Sequence, residues 1–209
     1  KLWRNMRLER ASSKAIKFAC IKFHYAKSIP ITEIAYSVFN KKNEWCGVIC
    51  FGQGANANLG KKYGVISGQF LELTRMALNG KQESTSKAMA IAIKLIKKHR
   101  PLVKILISYA DKGQKHYGII YQATNWYFVE ENKSSGIEYF YKGKWVHSRV
   151  PNTLPKNKRD KLKKRKKTGK YKYIYPINKN LIPMCENNSK TYPKKLSDKV
   201  SPTAIPNLE

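Results

Sequence analysis

Acidic residues are scarce in this chain. Thirteen Asp and Glu stand against forty-two Lys and Arg, which leaves a net charge of +29 over 209 residues. An imbalance of that size exceeds what solubility needs and favours a polyanionic partner, a phosphate backbone or an anionic membrane. Long apolar runs are missing as well. No stretch approaches the roughly 20 consecutive apolar residues of a transmembrane helix, and the basic positions form no amphipathic stripe of the kind that lies on a membrane surface. Nucleic acid therefore leads and a membrane role falls behind. No apolar segment with a cleavage-site pattern follows the basic N-terminal residues, so the expectation is no signal peptide and a cytoplasmic location. Cysteine is sparse, with four residues. Cys46 and Cys50 lie on EWCGVICFG, which reads as a strand. Four residues apart there puts them on one face at roughly 13 Å, beyond disulfide reach. No second pair at zinc spacing exists, so these two, with the isolated Cys20 and Cys185, read as small buried side chains.

What is present suffices for one core. Apolar residues make up 42% of the chain and no low-complexity tract precedes residue 150, so the expectation is one α/β domain over residues 1–150, a central mixed sheet flanked by helices, and a basic extension over residues 151–209. Helical apolar spacing runs through residues 11–21, capped by Ser12 or Ser13. EIAYSVFN and EWCGVICFG form a hairpin around KKN, and a Gly/Asn-rich loop covers residues 52–64. FLELTRMAL alternates as a strand, with Leu71, Leu73, Arg75 and Ala77 on one face and Phe70, Glu72, Thr74 and Met76 on the other. The next segment reads as a helix capped by Ser84 or Thr85, with Ala88, Ile91, Ala92 and Leu95 on one stripe and cations in its last turn.

LVKILISYA is a near-continuous apolar run, the mark of a strand buried on both faces. Tyr109 and Asp111 stand at its carboxyl end, where ligands bind in open α/β sheets. A helix over residues 114–125 should follow, then a hairpin from IEYFYKG and KWVHSRV. Residues 156–172 carry eleven Lys and Arg and one Asp, with no apolar periodicity, so they should stay loosely extended unless bound to phosphate. YKYIYPI, residues 171–177, reads as a last strand. Beyond Pro183 no regular structure is expected.

ELTRMALN, YAD and HYGIIYQATNW, with FHYAKSIP upstream and KWVHSR downstream, resemble the Mom-type DNA adenine modification proteins of phage Mu and related phages and prophages. The resemblance covers roughly residues 20–150. It implies a divergent GNAT acyltransferase fold and an enzyme that converts the exocyclic amine of adenine in DNA to a carbamoylmethylated form, shielding phage DNA from host restriction. One departure stands out. Where a GNAT enzyme cradles the donor pyrophosphate on a Gly-rich loop at a helix start, this chain reads GKQESTSK, with a carboxylate, Glu83, that competes with such an anion. The activated donor is thus either an acetyl-CoA-like thioester or an aminoacyl-tRNA, with Ser84, Glu83 and Asn125 as its candidate contacts.

Adenine's amine is a weak nucleophile, so catalysis requires positioning, a proton acceptor and donors to developing negative charge. Asp111 is the candidate base or amine orienter, or else a helix cap. Tyr109 and Tyr121 would stack on or hydrogen-bond the base or the donor, or else fill the core. Arg75 would meet a phosphate, the donor carbonyl or Asp111. His116 would act as an acid or base at a helix start. The family's association with iron implies a second reading, a two-His, one-carboxylate metal site from His24, Asp111 and His116. Tyr117, Tyr121 and Trp126 would receive an extruded base, while Lys163, Lys164, Arg165, Lys166, Lys167 and Lys170 hold the backbone of double-stranded DNA. The rivals are a non-enzymatic nucleic-acid binder and a GNAT-like transferase acting on RNA or protein.

Overall fold

The computed structural model describes residues 5–54, 56–132 and 136–194. A seven-stranded sheet organises the chain: β1 (Arg7–Arg10), β2 (Ile34–Phe39), β3 (Trp45–Gly52), β4 (Phe70–Leu78), β5 (Ile105–Asp111), β6 (Tyr127–Asn132) and a late strand, β10 (Lys170–Pro176). Their order is β1-β2-β3-β4-β5-β10-β6. All pairs are antiparallel except β4 with β5, which α2 (Thr85–His99) joins by a crossover. Parallel pairing demands such a connection. α1 (Ser13–Lys22) starts at Ser12, whose hydroxyl accepts from Ala15 N.

The two sheet faces bury different sets. Ala88, Met89, Ala92, Ile93 and Ile96 of α2 pack on Tyr36, Phe51, Leu71, Leu73 and Leu106, with Ile91 and Leu95 at the flank. The predicted stripe is therefore rotated by about one position. On the opposite face Ala19 and Cys20 of α1 meet Ala35, Val48, Cys50 and Ala77. Tyr63, Phe70, Ile105, Ile107 and Ile174 fill the other half of that face beneath Cys185 of α5 (Ile182–Asn187). Regular structure thus continues past Pro183, and of the segment expected to be irregular, residues 195–209 lie outside the described residues. Among the described residues no helix is long and apolar enough to cross a membrane.

Two bulges overturn strict alternation. Val38 pairs with Gly47 and Phe39 with Trp45, so Cys46 is an extra residue on β3. Gly47, at φ 125, accommodates the kink, and a Cβ there would lie 2.1 Å from the Ala77 carbonyl oxygen. Cys46 consequently joins the α2 face and Cys50 the α1 face. The two do not face the same way; all four cysteines are free and buried. On β4 the extra residue is Thr74, because Cys50 pairs with Arg75 and Phe51 with Leu73. Thr74 Oγ1 donates to the Cys50 carbonyl at 3.2 Å. An extra residue shifts the period-2 pattern by one, so Leu71 and Leu73 pack toward α2 whereas Ala77 packs toward α1. Arg75 thereby leaves the Leu71 and Leu73 face on which alternation had put it.

The C-terminal third differs from expectation. Residues 170–176 form a strand in the middle of the main sheet, paired with both β5 and β6, so the segment past residue 150 completes the fold. Before it, β7 (Ile137–Tyr141), β8 (Lys144–His147) and β9 (Lys164–Lys166) form a separate three-stranded sheet, ordered β8-β7-β9. A short α4 (Lys156–Asp160) lies between β8 and β9. The basic stretch is therefore an edge strand and a helical turn. The helix expected over residues 114–125 shrinks to α3 (Ile119–Gln122), because Lys115 and Gly118 adopt left-handed φ of 54° and 76°.

Candidate active site at the splay of the central sheet

β4 and β5 pair only from Phe70 with Ile105 to Leu73 with Ser108. Beyond that the strands part. Ser108 Oγ donates to the Leu73 carbonyl at 3.2 Å, closing the ladder with a side chain. A cleft of about 350 Å³ opens at the splay, lined by the ends of both strands, by residues 115–121, by His24 and Tyr25, and by Lys170. That volume lies at the small end of ligand pockets.

Asp111 closes one wall. Its Oδ1 accepts from Gly113 N at 2.8 Å and from the Thr168 hydroxyl at 3.3 Å; its Oδ2 accepts from the Tyr25 hydroxyl at 3.3 Å. The carboxylate thus caps a 3-10 turn over Lys112–Gln114, rather than a helix at Gln114, and ties three segments together. His116 continues this wall, with its N–H on the Asp111 carbonyl and its ring edge-on to Tyr25 at 5.9 Å. Burial and the Asp111 charge push the Tyr25 phenol up to about 12.

His24 stacks on Tyr25 at 4.3 Å, and its Nδ1 accepts from Ala26 N. Burial, then the charge of Arg75, holds its pKa down at about 4. It is neutral at pH 7, with the proton on Nε2. No group of three or more His, Cys, Asp or Glu suited to a metal ion exists among the described residues. His24, Asp111 and His116 line one cleft without forming the expected iron site: Nδ1 of His24 and both oxygens of Asp111 are already engaged.

Arg75 projects into the cleft without an acidic partner at ion-pair distance among the described residues, so the expected pairing with Asp111 does not form. It donates from one terminal nitrogen to the Thr74 carbonyl at 2.7 Å and from the other to the Ser28 hydroxyl at 3.2 Å; its buried Nε has no hydrogen-bond partner among the described residues. Opposite, the Tyr121 hydroxyl lies 2.8 Å from Ser108 Oγ. Ser108 spends its single proton on Leu73, so Tyr121 donates to Ser108. Burial pushes Tyr121 up to about 12.

Sequence reasoning missed Glu72. It lines the cleft beside Tyr109, burial raises its pKa, and the charges of Lys170, Arg75 and Lys172 only partly counter that. No hydrogen bond reaches its carboxylate among the described residues. Burial and the Glu72 charge in turn raise Tyr109, whose ring lies 5.8 Å from Lys170 Nζ and 6.0 Å from Lys172 Nζ. A carboxylate in the largely apolar N-terminal half of a central strand, between Leu71 and Leu73, was the available signal. Tyr25 was also missed, although it lies in FHYAKSIP.

Other expected residues lie elsewhere. Trp126 is fully buried against Tyr121 and Tyr175 and cannot receive a base. Tyr117 lines the cleft, with its ring on Tyr171. Ser84 caps α2 by accepting from Lys87 N, and Glu83 accepts from Lys41 N at 2.8 Å, which draws its carboxylate to the β2–β3 turn. Neither these two nor Asn125 lines the cleft. Lys163, Lys164, Arg165 and Lys166 are exposed and Lys167 is half-buried, all on or beside β9.

Four likenesses to known proteins bear on this chain. The sequence model of the Mom protein family matches residues 5–194. The protein called Methylcarbamoylase mom of Escherichia phage Mu is 30% identical over 112 residues, 52% of this chain and 46% of that protein, so the chain spans about half the length of the curated relative it matches. Among solved structures, a dodecameric spermidine N-acetyltransferase from Vibrio cholerae superposes with a TM-score of 0.51 at 9% identity, covering 86% of this chain and 98% of that one. Mutant forms of the spermidine/spermine N-acetyltransferase SpeG from the same organism give 0.50 at 8%, covering 85% and 98%. At such identities the likeness is of fold alone, and the fold is GNAT-like.

Proposed function

Because the chain belongs to the Mom protein family, we propose that it is a transferase that converts the exocyclic amine of adenine in phage DNA to a carbamoylmethylated form and so protects that DNA from restriction. The observation that carries this reading is the cleft at the β4–β5 splay, lined both by a desolvated carboxylate, Glu72, and by Arg75, which has no acid at ion-pair distance among the described residues, within the span of the Mom family match. Three needs of the reaction find a residue there. Glu72 accepts the amine proton as the nitrogen bonds to the incoming carbon, since burial keeps its basicity above that of an ordinary carboxylate. Arg75 Nε and its terminal nitrogens donate to oxygen on the donor as charge develops, while the donor's leaving group departs with the bonding pair. Asp111, through Tyr25, holds the strap at residues 24–25 against the mouth.

Asp111 is thus a positioning residue in this scheme, since its oxygens already accept three hydrogen bonds. Tyr109, Tyr121 and His116 form walls against which a flat base packs. The donor is an activated, phosphate-bearing acyl compound, an acetyl-CoA-like thioester or an aminoacyl-tRNA; the acyl group that balances is glycyl, because its adduct on the amine, N–C(=O)–CH2–NH2, is an isomer of the carbamoylmethyl group, N–CH2–C(=O)–NH2, and reaches it by rearrangement without an oxidant. The partner is double-stranded DNA, from which the target base must be extruded. Mass analysis of nucleosides from plasmid DNA of expressing cells tests the proposal. A heavier adenine nucleoside, with resistance to enzymes that cut at adenine-containing sites, is expected; unaltered adenine beside abundant folded protein would overturn it.

A further inference from the structure

Among the described residues the small sheet β8-β7-β9 contributes to none of the apolar clusters of the fold. Its hairpin concentrates four aromatic rings, Tyr139, Phe140, Tyr141 and Trp145, and none of them belongs to the three apolar clusters of the fold. A two- or three-stranded sheet without a packed face is marginal in water, so a surface of this composition has a use other than stability. One face carries Phe140, Trp145, His147 and Arg165. Phe140 is 40% exposed and lies 5.4 Å from Trp145; the Arg165 guanidinium covers the Trp145 ring at 4.4 Å. Glu138, the acid on that face, is bound by Arg165 at 2.8 Å. Around it the charge is uniform: residues 136–172 contain fourteen Lys and Arg and two acids, Glu138 and Asp160.

The sheet is also close to the cleft. Lys166, at the end of β9, stands four positions before Lys170 in the cleft wall, a reach of at most about 14 Å. Thr168 between them bonds Asp111, and the Gly169 carbonyl accepts from Lys112 N. A stacked strand advances about 3.4 Å per nucleotide, so nucleotides roughly four steps from a base in the cleft lie at this sheet.

We infer that the Phe140–Trp145–Arg165 face is a stacking platform for unpaired DNA bases, and that it holds the single strand flanking the target nucleotide. Aromatic and guanidinium planes bind bases of any sequence, whereas lysines track the phosphates. The duplex is then opened over several nucleotides at the site, beyond extrusion of one base. This deepens the DNA-modification reading and rests on it for the substrate. Its test uses binding without turnover, so failure here leaves that reading standing.

The experiment measures anisotropy of labelled oligonucleotides with the full chain: a single DNA strand, the same sequence as a duplex, and the same sequence as RNA. Phe140→Ala should weaken single-strand DNA binding by roughly five-fold or more, weaken duplex binding less, and leave the salt slope unchanged. Phe140→Trp should restore affinity. Circular dichroism and melting check that both variants fold; the exposure of Phe140 makes it a safer site than Trp145. Unchanged single-strand affinity, an equal loss on duplex, or a loss confined to RNA would each overturn the inference. So would sedimentation showing that Phe140→Ala only splits a dimer, because the face would then bind a second copy of this chain.

Discussion

The two sheets of this protein treat polar side chains in opposite ways. In the large sheet the polar side chains of the cleft are held from several sides: Asp111 by a backbone N–H and two hydroxyls, Tyr121 by Ser108, Arg75 by a carbonyl and Ser28. In the small sheet the lysines of β9 are exposed, and Arg165 pairs with Glu138 at the surface. Preorganisation in a dry cleft is worth far more than in water, whereas surface charge gives affinity that salt screens. Under the proposed function the cleft selects and reacts, and the small sheet holds.

Glu72→Gln should have the largest effect. It keeps the shape and removes the base, so modification should fall by roughly a hundred-fold or more while the melting temperature stays or rises. Asp111→Ala should instead lower the melting temperature, because three donors lose their acceptor at about 1–3 kcal/mol in total. A stable, inactive Asp111→Asn beside an active Glu72→Gln would move the base to Asp111.

Next in size is a pair of glycines. A Cβ at Gly118, φ 76°, would lie 2.4 Å from the Tyr173 ring, whereas at Gly143, φ 77°, it would meet nothing within 4 Å among the described residues. Gly118→Ala should cost overpacking as well as strain, ~2–4 kcal/mol, and Gly143→Ala about 1–2 kcal/mol of strain alone. Equal losses in denaturant melts would mean that the small sheet is as tightly built as the large one.

Neutralising Lys163, Lys164, Lys166 and Lys167 should leave the melting temperature unchanged and lower the salt slope of duplex binding by about 0.9 for each phosphate that these lysines had neutralised. Adding Arg165 should change little more, since Glu138 already offsets its charge. Retention of both affinity and slope would shift DNA binding to the large sheet's own cations.

The smallest effect concerns His24. Its folded pKa, near 4, lies below the ordinary 6.5, so between those values the unfolded chain binds the proton and the folded chain does not. Stability attached to this group is full above about pH 6.5 and falls as pH drops toward 4. His24→Asn should flatten that part of the stability–pH curve, as urea melts at pH 4.5 and 7 would show; an unaltered slope would mean that His24 is charged in the fold.

Much of the large sheet was legible because its strands carry apolar runs that only burial explains. LVKILISYA became β5, YKYIYPI became β10, and Ser12 and Ser84 cap α1 and α2 as their side-chain chemistry suggests. Asp111 and Tyr109 stand in the cleft because they end a central strand. What escaped was set by single residues that break a period. Thr74 and Cys46 bulge, and Lys115 and Gly118 turn left-handed. Each moves its neighbours to another face without altering the apolar pattern.

Sequence alone determined the α/β class, the charge and the strand end on which the site stands, because burial and electrostatics act on composition and on local period. Tertiary structure decided that Arg75 leaves the Leu71 and Leu73 face, that β10 inserts between β5 and β6, and that the basic run forms the edge of a second sheet. Those outcomes depend on pairing between residues distant in sequence. Strand order and register are chosen by which edges remain open once the core has closed, and no local pattern records that choice.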